Sequence, residues 1–140
     1  VECGDHYARA MASWGVYTAL AGFEYEGPKG HVGFAPRVTP ENFRAAFTAA
    51  EGWGSFSQTR RETVQREQIE LRWGRLTLKS LAFAMPTDWT VAGVAVRLND
   101  KDIRNKTLFG AGRVEIEMND SQTLSPGDRL EVEIRRKGQS

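Results

Sequence analysis

The chain has 140 residues, 40 % of them hydrophobic, enough for one domain with a buried core. Its formal net charge of +1 provides no long-range field of the kind that gathers nucleic acid or an anionic membrane surface. Its single cysteine, Cys3, excludes an internal disulfide, and no apolar run approaches the roughly 18 residues that a membrane span needs.

The first element expected is a helix over residues 1–22. Asp5 can cap it and Gly22 can end it in a left-handed conformation. Two stripes run along it at helical spacing: Tyr7, Met11, Trp14 and Thr18 are bulky, while Ala8, Ala12, Gly15 and Ala19 are small. A helix apolar on both faces needs neighbours on both, more than one β-domain of this size supplies. The chain, which starts at Val1 rather than Met, is therefore expected to be a piece of a longer protein. Residues 1–22 would then be the last helix of an upstream helical domain.

Residues 23–140 read as β-structure. Phe23-Glu24-Tyr25-Glu26, a Gly27-Pro28-Lys29-Gly30 turn and His31-Val32-Gly33-Phe34 form a predicted hairpin. After Pro36 and Pro40, the segment from Asn42 to Thr48 fits a strand or a short helix opened by Thr39, with the strand favoured by Phe43 and Phe47. Alternation then predicts strands over 55–59, in the second half of 62–72 (Ile69, Leu71 and Trp73 on one face) and over 76–81. In the last of these, either Leu76, Leu78 and Ser80 or Thr77, Lys79 and Leu81 would form a face. Further strands are expected over 91–98, 113–118 and 130–135, the last fed by a turn at Ser125-Pro126-Gly127-Asp128. The fold class predicted is thus mainly β, an antiparallel two-sheet sandwich preceded by one N-terminal α-helix.

Two groups of side chains could carry function. Glu2, His6 and Arg9 fall at spacings of four and three and share one face if the helix extends back to residue 2, past Gly4; a carboxylate and a guanidinium can there clamp a polyol. From spacing alone, a local ion pair is the simpler account. Glu51 and Trp53, set among Gly52 and Gly54, could form a sugar contact in which the indole stacks on a ring, or a turn within an inter-domain interface. Trp73 and Trp89 follow strand patterns and are assigned to the core. Cys3 and His6 have a C-x-x-H spacing but lack a second pair of ligands, and His31 stands alone in its hairpin, so no metal or other cofactor is expected.

The stretches Glu2-Cys3-Gly4-Asp5-His6-Tyr7-Ala8-Arg9-Ala10-Met11, Ala21-Gly22-Phe23-Glu24-Tyr25-Glu26-Gly27-Pro28, Gly33-Phe34-Ala35-Pro36 and Phe47-Thr48-Ala49-Ala50-Glu51-Gly52-Trp53-Gly54 resemble the C-terminal part of bacterial glycoside hydrolases of family 116. These are β-glucosidases related to the non-lysosomal glucosylceramidase. The resemblance covers about the first sixty residues. It implies that an (α/α)6 catalytic barrel precedes the sandwich, with a Glu nucleophile and an Asp acid/base upstream of Val1, so that this chain holds no catalytic residue. It also implies that Glu2 and Arg9 hold glucose hydroxyls, which shifts the balance for that pair towards sugar contact; their spacing of seven is shorter than in the glucosylceramidase branch. The partners expected are a β-glucoside and the upstream barrel, and the compartment expected is the cytoplasm. The alternative is a stand-alone β-sandwich that binds carbohydrate or serves as structure, without catalysis.

Overall fold

The computed structural model describes residues 21–110 and 112–138. The helix expected over residues 1–22, with Glu2, His6 and Arg9, lies outside this region except for its last two positions. There Gly22 has the left-handed φ of 58° expected of a helix end. Ala21 is buried, and its carbonyl accepts the Ala35 N–H at 2.8 Å.

Eleven strands follow among the described residues. In chain order they are β1 (Glu24–Glu26), β2 (His31–Phe34), β3 (Asn42–Ala49), β4 (Gly52–Arg60), β5 (Val64–Gly74) and β6 (Leu76–Ala84). They continue with β7 (Val91–Leu98), β8 (Lys101–Asp102), β9 (Asn105–Gly110), β10 (Arg113–Leu124) and β11 (Arg129–Arg136). One sheet runs β1-β2-β6-β10-β9 and the other β3-β4-β5-β11-β7-β8. The longer strands place alternate side chains in the space between the sheets, which is the expected sandwich, while β1, β8 and β9 bury no residue fully. No helix among the described residues is long and apolar enough to cross a membrane.

One pairing departs from the antiparallel expectation. β2 and β6 are parallel, with His31 opposite Ser80 and Phe34 opposite Phe83. Between them the chain crosses to the other sheet and builds β3, β4 and β5 there. It returns in the direction of β2 after three antiparallel strands, a route that a hairpin cannot provide.

The core is a ladder of aromatic rings bridging the sheets. Phe34 of β2 and Phe56 of β4 stack at 3.8 Å between centroids with 2° between planes. Phe47 meets Phe34 edge-on at 5.9 Å, and Phe83 lies 6.3 Å from Phe56. Leu71, Leu78, Ile116, Leu130 and Ile134 extend this interior along both sheets.

Two irregularities redirect side chains. In β10, Glu117 faces Ser80 but Gln122 faces Leu78, so residues 118–121 are opposed by Lys79 alone. The inward face of β6 changes parity there: Leu76 and Leu78 point inward before the slip, Leu81 and Phe83 after it. Both alternations considered for this strand occur, each in one half. In β5, Leu71 faces Gly54 and Trp73 faces Trp53, so Arg72 is the extra residue of a bulge. That extra residue takes Trp73 off the Ile69/Leu71 face, and the indole is 63 % exposed rather than in the core. Trp89 is not a strand residue either. It sits half-buried in the loop between β6 and β7, with the Arg136 guanidinium 6.0 Å from its ring centroid.

Candidate functional site

The β3–β4 turn and the β5–β6 junction form one end of the second sheet. Its geometry depends on glycine. A Cβ on Gly54 would stand 2.1 Å from the Glu70 carbonyl oxygen, so only hydrogen fits where the bulge draws β4 and β5 together. Gly74 has a φ of 82° and would likewise collide with the Glu51 carbonyl. The outcome is that Thr48, Trp53 and Trp73 stand in one cross-strand row on the outer face. Trp53 is 47 % exposed, so both indoles present ring surface to solvent.

Beside this row, Arg75 donates from Nε (3.0 Å) and Nη2 (2.7 Å) to one oxygen of Glu51, Oε2. The Arg75 N–H also donates to the Glu51 carbonyl at 3.0 Å. The ion pair is exposed and adds little stability. It does orient the Glu51 carboxylate and leaves Oε1 able to accept further hydrogen bonds. Two rigid indoles and an oriented acceptor can hold a ring with apolar C–H faces and polar edges, as a sugar has.

A second feature lies on the outer face of the first sheet. Register places Glu26, His31, Ser80, Glu117 and Lys106 in one row across β1, β2, β6, β10 and β9. The adjacent row is Glu24, Gly33, Ala82, Glu115 and Leu108. The small residues in the middle of that row leave space above them. Arg113 spans it to meet Glu24 with two parallel bonds of 2.9 Å. Ala82, on this outward face, is only 1 % exposed. His31 bridges Glu24 Oε2 (3.1 Å, through Nε2) and Ser80 Oγ (2.8 Å, through Nδ1). The Arg113 hydrogen bonds, aided by His31, hold the Glu24 carboxyl down at about 2 against the desolvation that opposes them. The concavity around this network measures about 720 Å³.

No family profile matches the sequence, and no curated protein matches it. Among solved structures, the chain is similar to part of an alpha-L-rhamnosidase from Dictyoglumus thermophilum. The TM-score is 0.48 at 13 % identity, over 84 % of this chain. The chain spans 12 % of that protein's length. The neighbour is a glycoside hydrolase.

Of the residues singled out in the sequence, Glu51 lies in the β3–β4 turn, paired with Arg75, and Trp53 stands two residues on, exposed on the outer face of β4. Glu2, His6 and Arg9 lie outside the described residues. Sequence reasoning missed Trp73 and Arg75 as neighbours of that pair, although the shared Gly-Trp and Trp-Gly steps, Gly52-Trp53-Gly54 and Trp73-Gly74, were a signal of a close-packed strand end. It also left His31 alone in its hairpin, because a parallel partner 49 residues away leaves no trace in local alternation.

Proposed function

We propose that this β-sandwich is a non-catalytic, carbohydrate-contacting part of a glycoside hydrolase acting on β-glucosides or glucosylceramide-like substrates. The observation that carries the carbohydrate reading is the pair of exposed indoles, Trp53 and Trp73, registered side by side with the oriented Glu51 carboxylate. Exposed indole pairs are costly to leave in water, and pyranose rings offer them a matching apolar face. The β-glucoside specificity rests on the resemblance of residues 2–54 to family 116. In that reading Glu2 and Arg9, with His6 between them, hold glucose hydroxyls, and the nucleophile and acid/base belong to a helical barrel upstream. The alternative, a binding sandwich that works without a catalytic partner, draws on the same indole pair.

The purified chain is expected to release no nitrophenol from an aryl β-glucoside. In a native gel containing a soluble β-glucan its migration should be retarded relative to a glucan-free gel. Turnover of the aryl glucoside would contradict the non-catalytic assignment. Unaltered migration in the glucan gel would contradict the carbohydrate assignment.

A further inference from the structure

We propose that the concavity on the outer face of the first sheet is a second binding site, for an uncharged polyhydroxylated chain such as a neutral oligosaccharide. It is built from β1, β2, β6, β10 and β9, and it shares none of the residues of the Trp53/Trp73 end. It stands on its own geometry and not on the reading of the indole pair.

Three observations point to this ligand class. The first is size. About 720 Å³ lies within the roughly 300–1,000 Å³ typical of small-ligand sites. Gly33 and Ala82, small residues at the centre of the outward row, let the Glu24–Arg113 bridge lie across the sheet, and that bridge lines the space together with His31, Ser80 and Glu117. A Cβ on Gly33 would come within 2.6 Å of Glu24 Oε2, so the carboxylate's position depends on that glycine.

The second is rigidity. Ser80, His31, Glu24, Arg113 and Glu115 form one continuous chain of hydrogen bonds across the sheet, closed by Arg113 Nε to Glu115 Oε1 at 3.1 Å. The polar groups are therefore ordered before any ligand arrives, which lowers the entropic cost of binding.

The third is charge. Glu24, Glu26, Glu115 and Glu117 are offset by Lys29, Lys106 and Arg113, and most are paired: Glu24 and Glu115 with Arg113, Glu26 with Lys29. The face thus carries an excess of one negative charge, which disfavours an anion, and three of its four carboxylates are already paired, which leaves little to hold a cation. What remains is spare acceptor capacity on the carboxylates and donor capacity on Lys106, interleaved across the face, which suits hydroxyls that both donate and accept. Leu108, 70 % exposed in the same row as Glu115, adds the apolar patch that a sugar's C–H face covers.

The test is a titration of the ¹⁵N-labelled chain with cellohexaose and, separately, with hexagalacturonate, followed by amide chemical shifts. Cellohexaose is expected to move the amides of Lys106, Leu108 and Glu117, and to do so equally in a Trp53→Ala/Trp73→Ala variant. A Leu108→Ala/Glu117→Ala variant alters two side chains outside the Glu24–His31 network. It should keep the melting temperature of the parent chain and lose at least tenfold in the affinity reported by those amides. Shifts confined to the Trp53 and Trp73 region would overturn the second site and leave the indole reading intact. Shifts in the concavity with none at the indoles would do the reverse. No shift anywhere would overturn both, and a larger response to hexagalacturonate would overturn the uncharged ligand class.

Discussion

Glu67 is the residue whose environment departs furthest from what its chemistry prefers. It is 1 % exposed on the inward face of β5, and burial pushes its carboxyl up to about 8 against the opposing pull of Gln65 and Arg60. Gln65 Nε2 donates to Glu67 Oε1, while Arg60 Nε donates to Gln65 Oε1 at 2.7 Å. Two buried oxygens among the described residues have no partner, Glu67 Oε2 and Gln58 Oε1. They belong to residues directly opposite each other on β5 and β4. A protonated Glu67 supplies the donor that this pair of acceptors lacks. The folded carboxyl thus holds its proton to a higher pH than the unfolded one, whose ordinary value is 4.5. Its contribution to stability is complete below that value and is lost as pH rises towards about 8. Across that window the folding constant should fall by up to about tenfold per pH unit from this group. Glu67→Gln carries a permanent N–H₂ and should flatten this loss, measured by urea unfolding at pH 6 and pH 9. An unchanged pH slope in the variant would show that Glu67 is not the titrating group. Glu24 works in the opposite sense. Its depressed value makes its contribution present above 4.5 and lost as pH falls towards about 2.

At the scale of elements, the hairpin β1–β2, the strand β3 and the closing strand β11 are legible because short alternating runs sit between Gly and Pro turns. The continuous antiparallel pairing with β4 makes 42–49 a strand, with Phe43 and Phe47 both on its inward face; their spacing of four alone fits a helix face as well. The positions of Trp73 and of the β6 faces were not legible, because each depends on a single register slip. Alternation counts residues along one strand, and a bulge is a property of two. The glycines that accompany the β5 slip make it testable. Gly54→Ala places a methyl group against the Glu70 carbonyl and should cost about 1–3 kcal/mol, the usual range for overpacking, read as a lower denaturation midpoint with unchanged slope. Stability equal to the parent chain would mean that β4 and β5 are not held this closely.

For the whole molecule, composition and turn spacing were sufficient to indicate two packed sheets, and most strands stand where they were expected. The order of strands within the sheets was not indicated. The parallel β2–β6 pair joins residues 49 positions apart, and the network of Ser80, His31, Glu24 and Arg113 exists only because of that pairing. The Glu51/Trp53 pair was accessible because its members are two residues apart, whereas its neighbours Trp73 and Arg75 come from another strand end. The two outer faces consequently differ in character. One end of the second sheet offers aromatic surface, and the first sheet offers an ordered polar concavity. The proposed saccharide contacts draw on both kinds of surface. The most direct measurement is calorimetric titration of cellohexaose into the parent chain and into Trp53→Ala/Trp73→Ala, with far-ultraviolet circular dichroism confirming that both are folded. Binding by the parent chain, with the heat from the indole site lost in the folded variant, is the expected result; identical isotherms for the two proteins would contradict it.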